Sequence, residues 1–425
     1  MTEGAWSPAE ATAFLLEREL FGMRFELDRI NAVLAELGNP HQSFRSIHIV
    51  GTNGKSSTTR FCAALLTAEG VRAGAYLSPH LVGFNERALV PVDGALEPTS
   101  PEEFASAISE AARAAQKVEL RLEPGDLVTQ FELVTAASFL LFSRANVSVA
   151  AVEAGLGGRL DATNVLGSPK VVVLTSIGLD HTRWLGSDEE SIATEKLAVV
   201  SAGDTLVIPT GLSSEARGVA EQRVERCGAS LRVVDPAESR GVDLAAVGEF
   251  QLSNFALAAA AVEETLGRLG MEARTSAATT LVPGRLSTVG QDPLTLVDAA
   301  HNQQGAAGLA TYLHSTSDRS TTTGVIGMLD DKDAAGFLAA MIPCVSRLVL
   351  TQPLNPRALS AEQLAGVALE LGVAREDLVV EADPRKALEL AKSMTDPRGT
   401  VIATGSVHLV GDLVSAPGER VVSSL

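Results

Sequence analysis

Ile47-His48-Ile49-Val50-Gly51-Thr52-Asn53-Gly54-Lys55-Ser56-Ser57-Thr58 carries a β-branched apolar run into two glycines, a lysine and three hydroxyl side chains. The run reads as a buried strand, and the residues after Gly54 open a helix. Gly51 and Gly54 let the backbone turn its N–H groups toward an anion, and the helix adds the positive end of its dipole. Lys55 supplies a mobile point charge for the β- and γ-phosphates of a nucleotide, while the Ser56 or Ser57 hydroxyl reaches phosphate or metal. Gly51, Thr52, Asn53, Gly54, Lys55, Ser56 and Ser57 are therefore the expected ATP-binding loop. The strict Walker pattern asks for a small residue where Ile49 stands, so an ordinary strand-to-helix turn is the competing reading. A lysine followed by two hydroxyls weighs against it.

Outward from this loop, short β-branched runs alternate with longer helical segments, the pattern of parallel-sheet α/β domains. Strands are expected over 46–50, 73–77, 148–152 and 171–175, then over 294–297, 324–328, 347–351 and 400–404. Helices are expected over 57–69, 102–116, 131–144 and 250–266. Pro283, Gly284, Gly290 and Pro293 interrupt the apolar pattern. The chain accordingly divides into an N-terminal ATP-binding domain (1–282), an interdomain linker (283–292) and a smaller C-terminal domain (293–425). A P-loop-type parallel-sheet ATPase domain plus a smaller Rossmann-like α/β domain is the expected fold.

With 425 residues the chain suits two or three domains. The 52 acidic against 34 basic residues, a net charge of -18, argue against general nucleic-acid binding. Cys62, Cys227 and Cys344 lie far apart without CxxC spacing, which indicates neither a disulfide framework nor a zinc site. The seven histidines lack clustered zinc spacing. The first ten residues do not read as a signal peptide, and the apolar runs are too short for a membrane span. A cytoplasmic monomer is expected.

Glu153 stands at the end of an apolar strand, where open parallel sheets place their ligand sites, and a carboxylate there suits hard Mg²⁺. It opens Glu153-Ala154-Gly155-Leu156-Gly157-Gly158-Arg159-Leu160-Asp161-Ala162-Thr163-Asn164. This run, with Gly51-Thr52-Asn53-Gly54-Lys55, resembles the Mur ligases, above all the folylpolyglutamate and dihydrofolate synthases. Further resemblances are Phe21-Gly22-Met23, Leu37-Gly38-Asn39-Pro40, Ser78-Pro79-His80-Leu81, Phe84-Asn85-Glu86-Arg87, Asp180-His181, Glu195-Lys196, Pro283-Gly284-Arg285, Asp298-Ala299-Ala300-His301-Asn302, Asp330-Asp331-Lys332-Asp333 and Gly405-Ser406. Two positions depart from the family: Ser56 where a glycine is common, and Leu197 in place of a small residue.

The resemblance implies a Mur ligase architecture and an ATP- and magnesium-dependent amide ligase. Such an enzyme adds L-glutamate to dihydropteroate, to the γ-carboxylate of reduced folates, or to both, through an acyl phosphate. It implies Ser78, Glu153 and His181 at the metal, and carbamylation of Lys196. Asn254 and Asp298 are expected at the nucleotide, with Arg285 reaching the γ-phosphate from across the cleft. Arg87, His301 and Ser406 are expected to position the incoming glutamate. Lys55, His181, Lys196, Arg285 and His301 form the expected catalytic group. The acceptors share pterin and aminobenzoyl groups, which favours one site serving both. The rival readings are a Mur-type ligase acting on a non-folate carboxylate and a nucleotide-binding paralogue without ligase activity.

Overall fold

The computed structural model describes residues 6–19, 26–416 and 418–419, so Phe21-Gly22-Met23 lies outside the described residues. The first sheet contains β1 (Arg45–Val50), β2 (Ala73–Tyr76), β3 (Ala88–Val92), β4 (Ala95–Pro98), β5 (Val149–Glu153), β6 (Val171–Leu174), β7 (Thr205–Pro209) and β8 (Ser230–Val234). Their order is β4-β3-β2-β5-β1-β6-β7-β8. The second sheet contains β9 (Ser287–Gly290), β10 (Leu294–Val297), β11 (Thr322–Ile326), β12 (Arg347–Leu350), β13 (Leu378–Val380) and β14 (Thr400–Thr404), in the order β13-β12-β11-β14-β10-β9.

The eight strands expected from the apolar runs are all present within two residues of the expected ends. Their β-branched runs are buried on both faces, as parallel strands covered by helices must be. The sheets are not wholly parallel. β3 runs antiparallel to β2 and β4 antiparallel to β3, while β9 runs antiparallel to β10. The stretch read as a linker, 283–292, therefore contains an edge strand of the second sheet. The crossing itself is the short turn before Ser287. Pro293 lies between β9 and β10. Four-residue edge strands carry too few residues for a period-two signal to stand out.

β1 is central, paired in parallel with β5 on one side and β6 on the other. Ile49 is in register with Glu153, which brings the end of β5 beside the loop that leaves β1. Helix Lys55–Ala68 packs on helix Phe250–Leu266, whose buried Ala258–Ala261 run permits close approach; Phe61 and Phe255 meet edge to face at 5.3 Å.

Candidate active site

Sterics shape the loop after β1. Gly54 caps the helix at φ 87, and a Cβ there would run into Asn254 Oδ1; a Cβ on Gly51 would collide with Thr175 Oγ1. The segment after β6 braces the loop from outside. Thr52 N–H donates to Ser176 O at 2.9 Å, Asn53 N–H to Ser176 Oγ at 3.0 Å, and Thr175 Oγ1 to Asn53 O at 2.6 Å. Thr52 Oγ1 donates to Gly178 O and accepts from Gly178 N–H, both at 3.1 Å. The first hydrogen bond of the helix runs from Thr58 N–H to Gly54 O. Among the described residues the N–H groups of Lys55, Ser56 and Ser57 have no backbone acceptor, which is the arrangement that receives an anion.

Two lysines converge on one carbonyl. Lys55 Nζ donates to Gly51 O at 3.0 Å and to Thr52 O at 3.1 Å, folded back over its own loop. Lys196 Nζ donates to the same Gly51 O at 3.0 Å from helix Glu189–Leu197. Burial, reinforced by the nearby Lys55 charge, pushes the buried Lys196 amine down to about 7. Burial lowers Lys55 as well, against the pull of Glu153 and Asp180. The glycine-rich run explains why Lys196 can come so close. A Cβ on Gly158 would press on the backbone oxygens of Lys196 and Glu195, and Arg159 N–H donates to Glu195 O at 3.1 Å. Asp161 folds that run by accepting from Leu156 N–H at 2.8 Å and Thr163 N–H at 2.9 Å.

Glu153 is 1% exposed. Its Oε1 accepts from Ser56 Oγ at 2.9 Å and its Oε2 from Ser78 N–H at 3.2 Å. Burial pushes its carboxyl above the usual range, opposed by Lys55. Among the described residues no three His, Cys, Asp or Glu side chains gather as a metal cage. A buried carboxylate beside a P-loop hydroxyl nevertheless fits Mg²⁺, whose remaining ligands are commonly phosphate and water oxygens.

His181 has partners different from those of Glu153. Its Nε2 accepts from Lys332 Nζ at 3.2 Å, and its Nδ1 lies 3.9 Å from Asp331 Oδ2. Burial lowers it to about 4, against the pull of Asp180. The neighbouring Asp180 is the hub of a seam between the two sheets' helices and loops. Its Oδ1 accepts from Lys332 Nζ at 2.7 Å, and its Oδ2 accepts from Asn302 Nδ2 at 3.1 Å and lies 3.2 Å from His301 Nε2. Burial opposes ionisation of Asp180, yet His301, His181 and Lys332 hold it below the ordinary carboxylate range. Beside the hub, Asn53 and Asn302 exchange two amide hydrogen bonds of 3.1 Å, and Asn53 Nδ2 also donates to Gln304 Oε1 at 2.8 Å.

The crossing turn presents Arg285 between two left-handed residues, Gly284 at φ 71 and the buried Leu286 at φ 47. Asp298 braces this strained turn: its Oδ2 accepts from Leu286 N–H at 2.9 Å and its Oδ1 from Ala300 N–H at 2.8 Å. Asp298 is 4% exposed, so this bracing, which sequence did not signal, is the contact it makes here. Asn254 is buried against Gly54, its Nδ2 donating to Gln251 Oε1 at 2.9 Å. Ser406 is buried at the end of β14 and caps helix Val407–Val414, accepting from His408 N–H at 3.1 Å.

Arg87 stands behind His80, which lines the cavity between the sheets. It is buried, its Nε donating to His80 Nδ1 at 3.0 Å and its guanidinium lying over the Phe84 ring at 5.4 Å. A charged residue in a recognised motif reads as a ligand contact from sequence, whereas here the aromatic and imidazole neighbours hold it as a buried post. Two guanidiniums line the cavity between the sheets, the expected Arg285 and also Arg60, which shares its helix with Ser56. The only sequence signal for it was its position four residues after Ser56 on the same helix face.

A P-loop ATPase sheet joined through an arginine-bearing turn to a smaller parallel sheet defines the Mur ligase class, and a family described as "Mur ligase, glutamate ligase domain" matches residues 284–407. The dihydrofolate synthase/folylpolyglutamate synthase of Mycobacterium tuberculosis is 32% identical, with 99% of this chain and 93% of the relative covered. The structure of Mycobacterium tuberculosis folylpolyglutamate synthase complexed with ADP superposes with a TM-score of 0.88 at 32% identity, covering 95% of this chain and 98% of that one. A bifunctional folylpolyglutamate synthase/dihydrofolate synthase with Mn, AMPPNP and L-glutamate bound gives 0.82 at 30% identity, covering 96% and 98%. The chain belongs to the folylpolyglutamate synthase/dihydrofolate synthase family.

Proposed function

We propose that this protein is an ATP-dependent ligase that joins L-glutamate to dihydropteroate and to the γ-carboxylate of reduced folates. The observation that carries the reading is the convergence of the P-loop, Glu153, Lys196 and the Arg285 turn on one cleft between the sheets. An acceptor carboxylate oxygen attacks the γ-phosphorus of ATP, the bond to the bridging oxygen breaks, and ADP leaves with that electron pair. The glutamate amine, after losing a proton, attacks the acyl carbon, and phosphate leaves as the amide forms. Carboxylate resists nucleophiles because of its charge, so phosphorylation supplies the leaving group.

Positioning and charge neutralisation dominate such a transfer. The free amides of Lys55, Ser56 and Ser57 receive phosphate oxygens, and Lys55 swings from Gly51 O to the β- and γ-phosphates. Arg285 meets the γ-phosphate from the other sheet. Glu153 and Ser56, with Ser78 adjacent, would hold Mg²⁺, which would supply neutralisation of phosphate charge. His181 joins that set only by giving up Lys332 at its Nε2. Asn254, beside Gly54, and Asp298 lie on the nucleotide side, and His301 and Ser406 receive the amino acid. The turn before Ser287 is the hinge between an ATP-binding unit over 1–282 and a glutamate-ligase unit over 293–425, and closure about it excludes water.

Lys196 is the carbamylation candidate. A neutral amine is needed to attack carbon dioxide, and its lowered proton affinity supplies that form near neutral pH. Protein incubated with ¹³C-bicarbonate gives a carbamate carbon signal that Lys196→Ala lacks; equal spectra exclude the modification. Among the described residues no helix is long and apolar enough to cross a membrane. The reading is of a cytoplasmic monomer that handles small-molecule substrates and no nucleic acid. Incubation with ATP, Mg²⁺, glutamate and each pterin acceptor in turn, with products weighed by mass spectrometry, tests the assignment. Glutamate added to both acceptors supports it, addition to only one removes the second activity, and no addition to either refutes it.

A further inference from the structure

The cavity between the sheets holds a guanidinium that the mechanism above leaves without a task. Arg60 and Ser56 line it from helix Lys55–Ala68, and Glu86, Arg285 and Val407 face them. Arg60 makes no hydrogen bond or ion pair with any described residue. It is half-buried, and burial and then Arg285 work against its charge while Glu86 and Glu153 favour it. A guanidinium carries five N–H donors and no acceptor, and burying one without partners is costly. No protein group hydrogen-bonds it among the described residues, which leaves its donors open to a ligand anion.

The charges around the cavity say which anion. Arg60 and Arg285 are two cations, joined by the N-terminal end of helix Val407–Val414. Against them stands one carboxylate. Glu86 is held in place by Leu81, Val82 and Gly83 N–H groups, each 2.9 Å from a carboxylate oxygen. With Arg285 turned to the γ-phosphate, Arg60 is the cation left for a second anion, and the fixed Glu86 carboxylate suits an ammonium, a pair that matches an amino acid bearing a further carboxylate.

We propose that Arg60 binds a carboxylate of the incoming L-glutamate, with Glu86 facing its amino group, so that selection of a dicarboxylic amino acid is made partly from the P-loop helix. This rests on the ligase reading above. The test is steady-state kinetics of wild type, Arg60→Ala and Arg60→Lys at saturating ATP and acceptor. It is paired with isotope exchange between bridging and non-bridging oxygens of ATP, run with acceptor and no glutamate. Arg60→Ala raises the KM for glutamate about thirtyfold or more, the scale of a lost charge-assisted hydrogen bond. Its KM for ATP and its exchange rate stay within about threefold of wild type. Arg60→Lys recovers part of the loss, because an ammonium keeps the charge without the fork.

An unchanged glutamate KM overturns the proposal, and so does an equal loss of exchange, which would make Arg60 a phosphate ligand. Where melting shows Arg60→Ala to be unfolded, Arg60→Lys carries the test: a raised glutamate KM supports the assignment and an unchanged one overturns it. A wild-type protein that forms no amide with glutamate overturns the ligase reading and this inference together, and is recognised without any substitution.

Discussion

Replacing Gly54 by alanine separates two physical demands on the phosphate loop. The residue sits at φ 87, and left-handed backbone costs a non-glycine residue about 1–2 kcal/mol. The new methyl group would also run into Asn254 Oδ1, and overpacking of a close-fitted contact costs about 1–3 kcal/mol. Gly54→Ala should therefore lose about 2–5 kcal/mol, whereas Asn254→Ala alone removes a partner of Gln251 without touching the loop backbone. In the double variant the collision disappears and the backbone cost remains. A cycle of the four proteins, followed by urea unfolding, should show a coupling of about 1–3 kcal/mol in favour of the double variant. Calorimetric titration with ADP should show the affinity lost in Gly54→Ala and partly regained in the double variant. Additive stabilities would refute the argument that Asn254 is why position 54 must be glycine.

Lys55→Ala should abolish amide formation while leaving the protein folded, because among the described residues the side chain hydrogen-bonds only to carbonyl oxygens of its own loop; near-normal turnover would contradict the P-loop assignment. With ¹⁸O in the acceptor carboxylate, one label should appear in inorganic phosphate, and its complete absence there would exclude an acyl phosphate. The Lys196 amine binds its proton more weakly folded, at about 7, than unfolded, so between about 7 and its ordinary value the unfolded chain holds more protons and stability rises with pH. In carbon-dioxide-free buffer this group contributes up to about 1.4 kcal/mol per pH unit in that window, and Lys196→Met should lose that slope relative to wild type. Parallel pH profiles for the two proteins would show that Lys196 is not buried as described.

Much of the architecture was legible because it depends on local patterns. Apolar β-branched runs marked the strands, and the longer helical segments that alternate with them marked the helices. Glycines next to a lysine and hydroxyls marked the phosphate loop, since only that chemistry turns free amides toward an anion. β3, β4, β7, β8, β9 and β13 were missed because three to five residues give no clear period, and their pairing depends on the strand beside them.

What the tertiary structure alone decided is which side chains share a cleft. Sequence determined that Arg87, Arg60, Asp180 and Lys332 are charged. It could not tell that Arg87 is sealed over Phe84, that Arg60 faces the cavity, or that Asp180 and Lys332 meet at 2.7 Å across the seam. A carboxylate that accepts backbone amides in two turns, as Asp298 does, looks in sequence like one that awaits a nucleotide. The difference lies in what each group meets after burial. Contacts between residues more than a hundred positions apart are set by how the sheets and their helices pack, and the local patterns of the chain do not encode them.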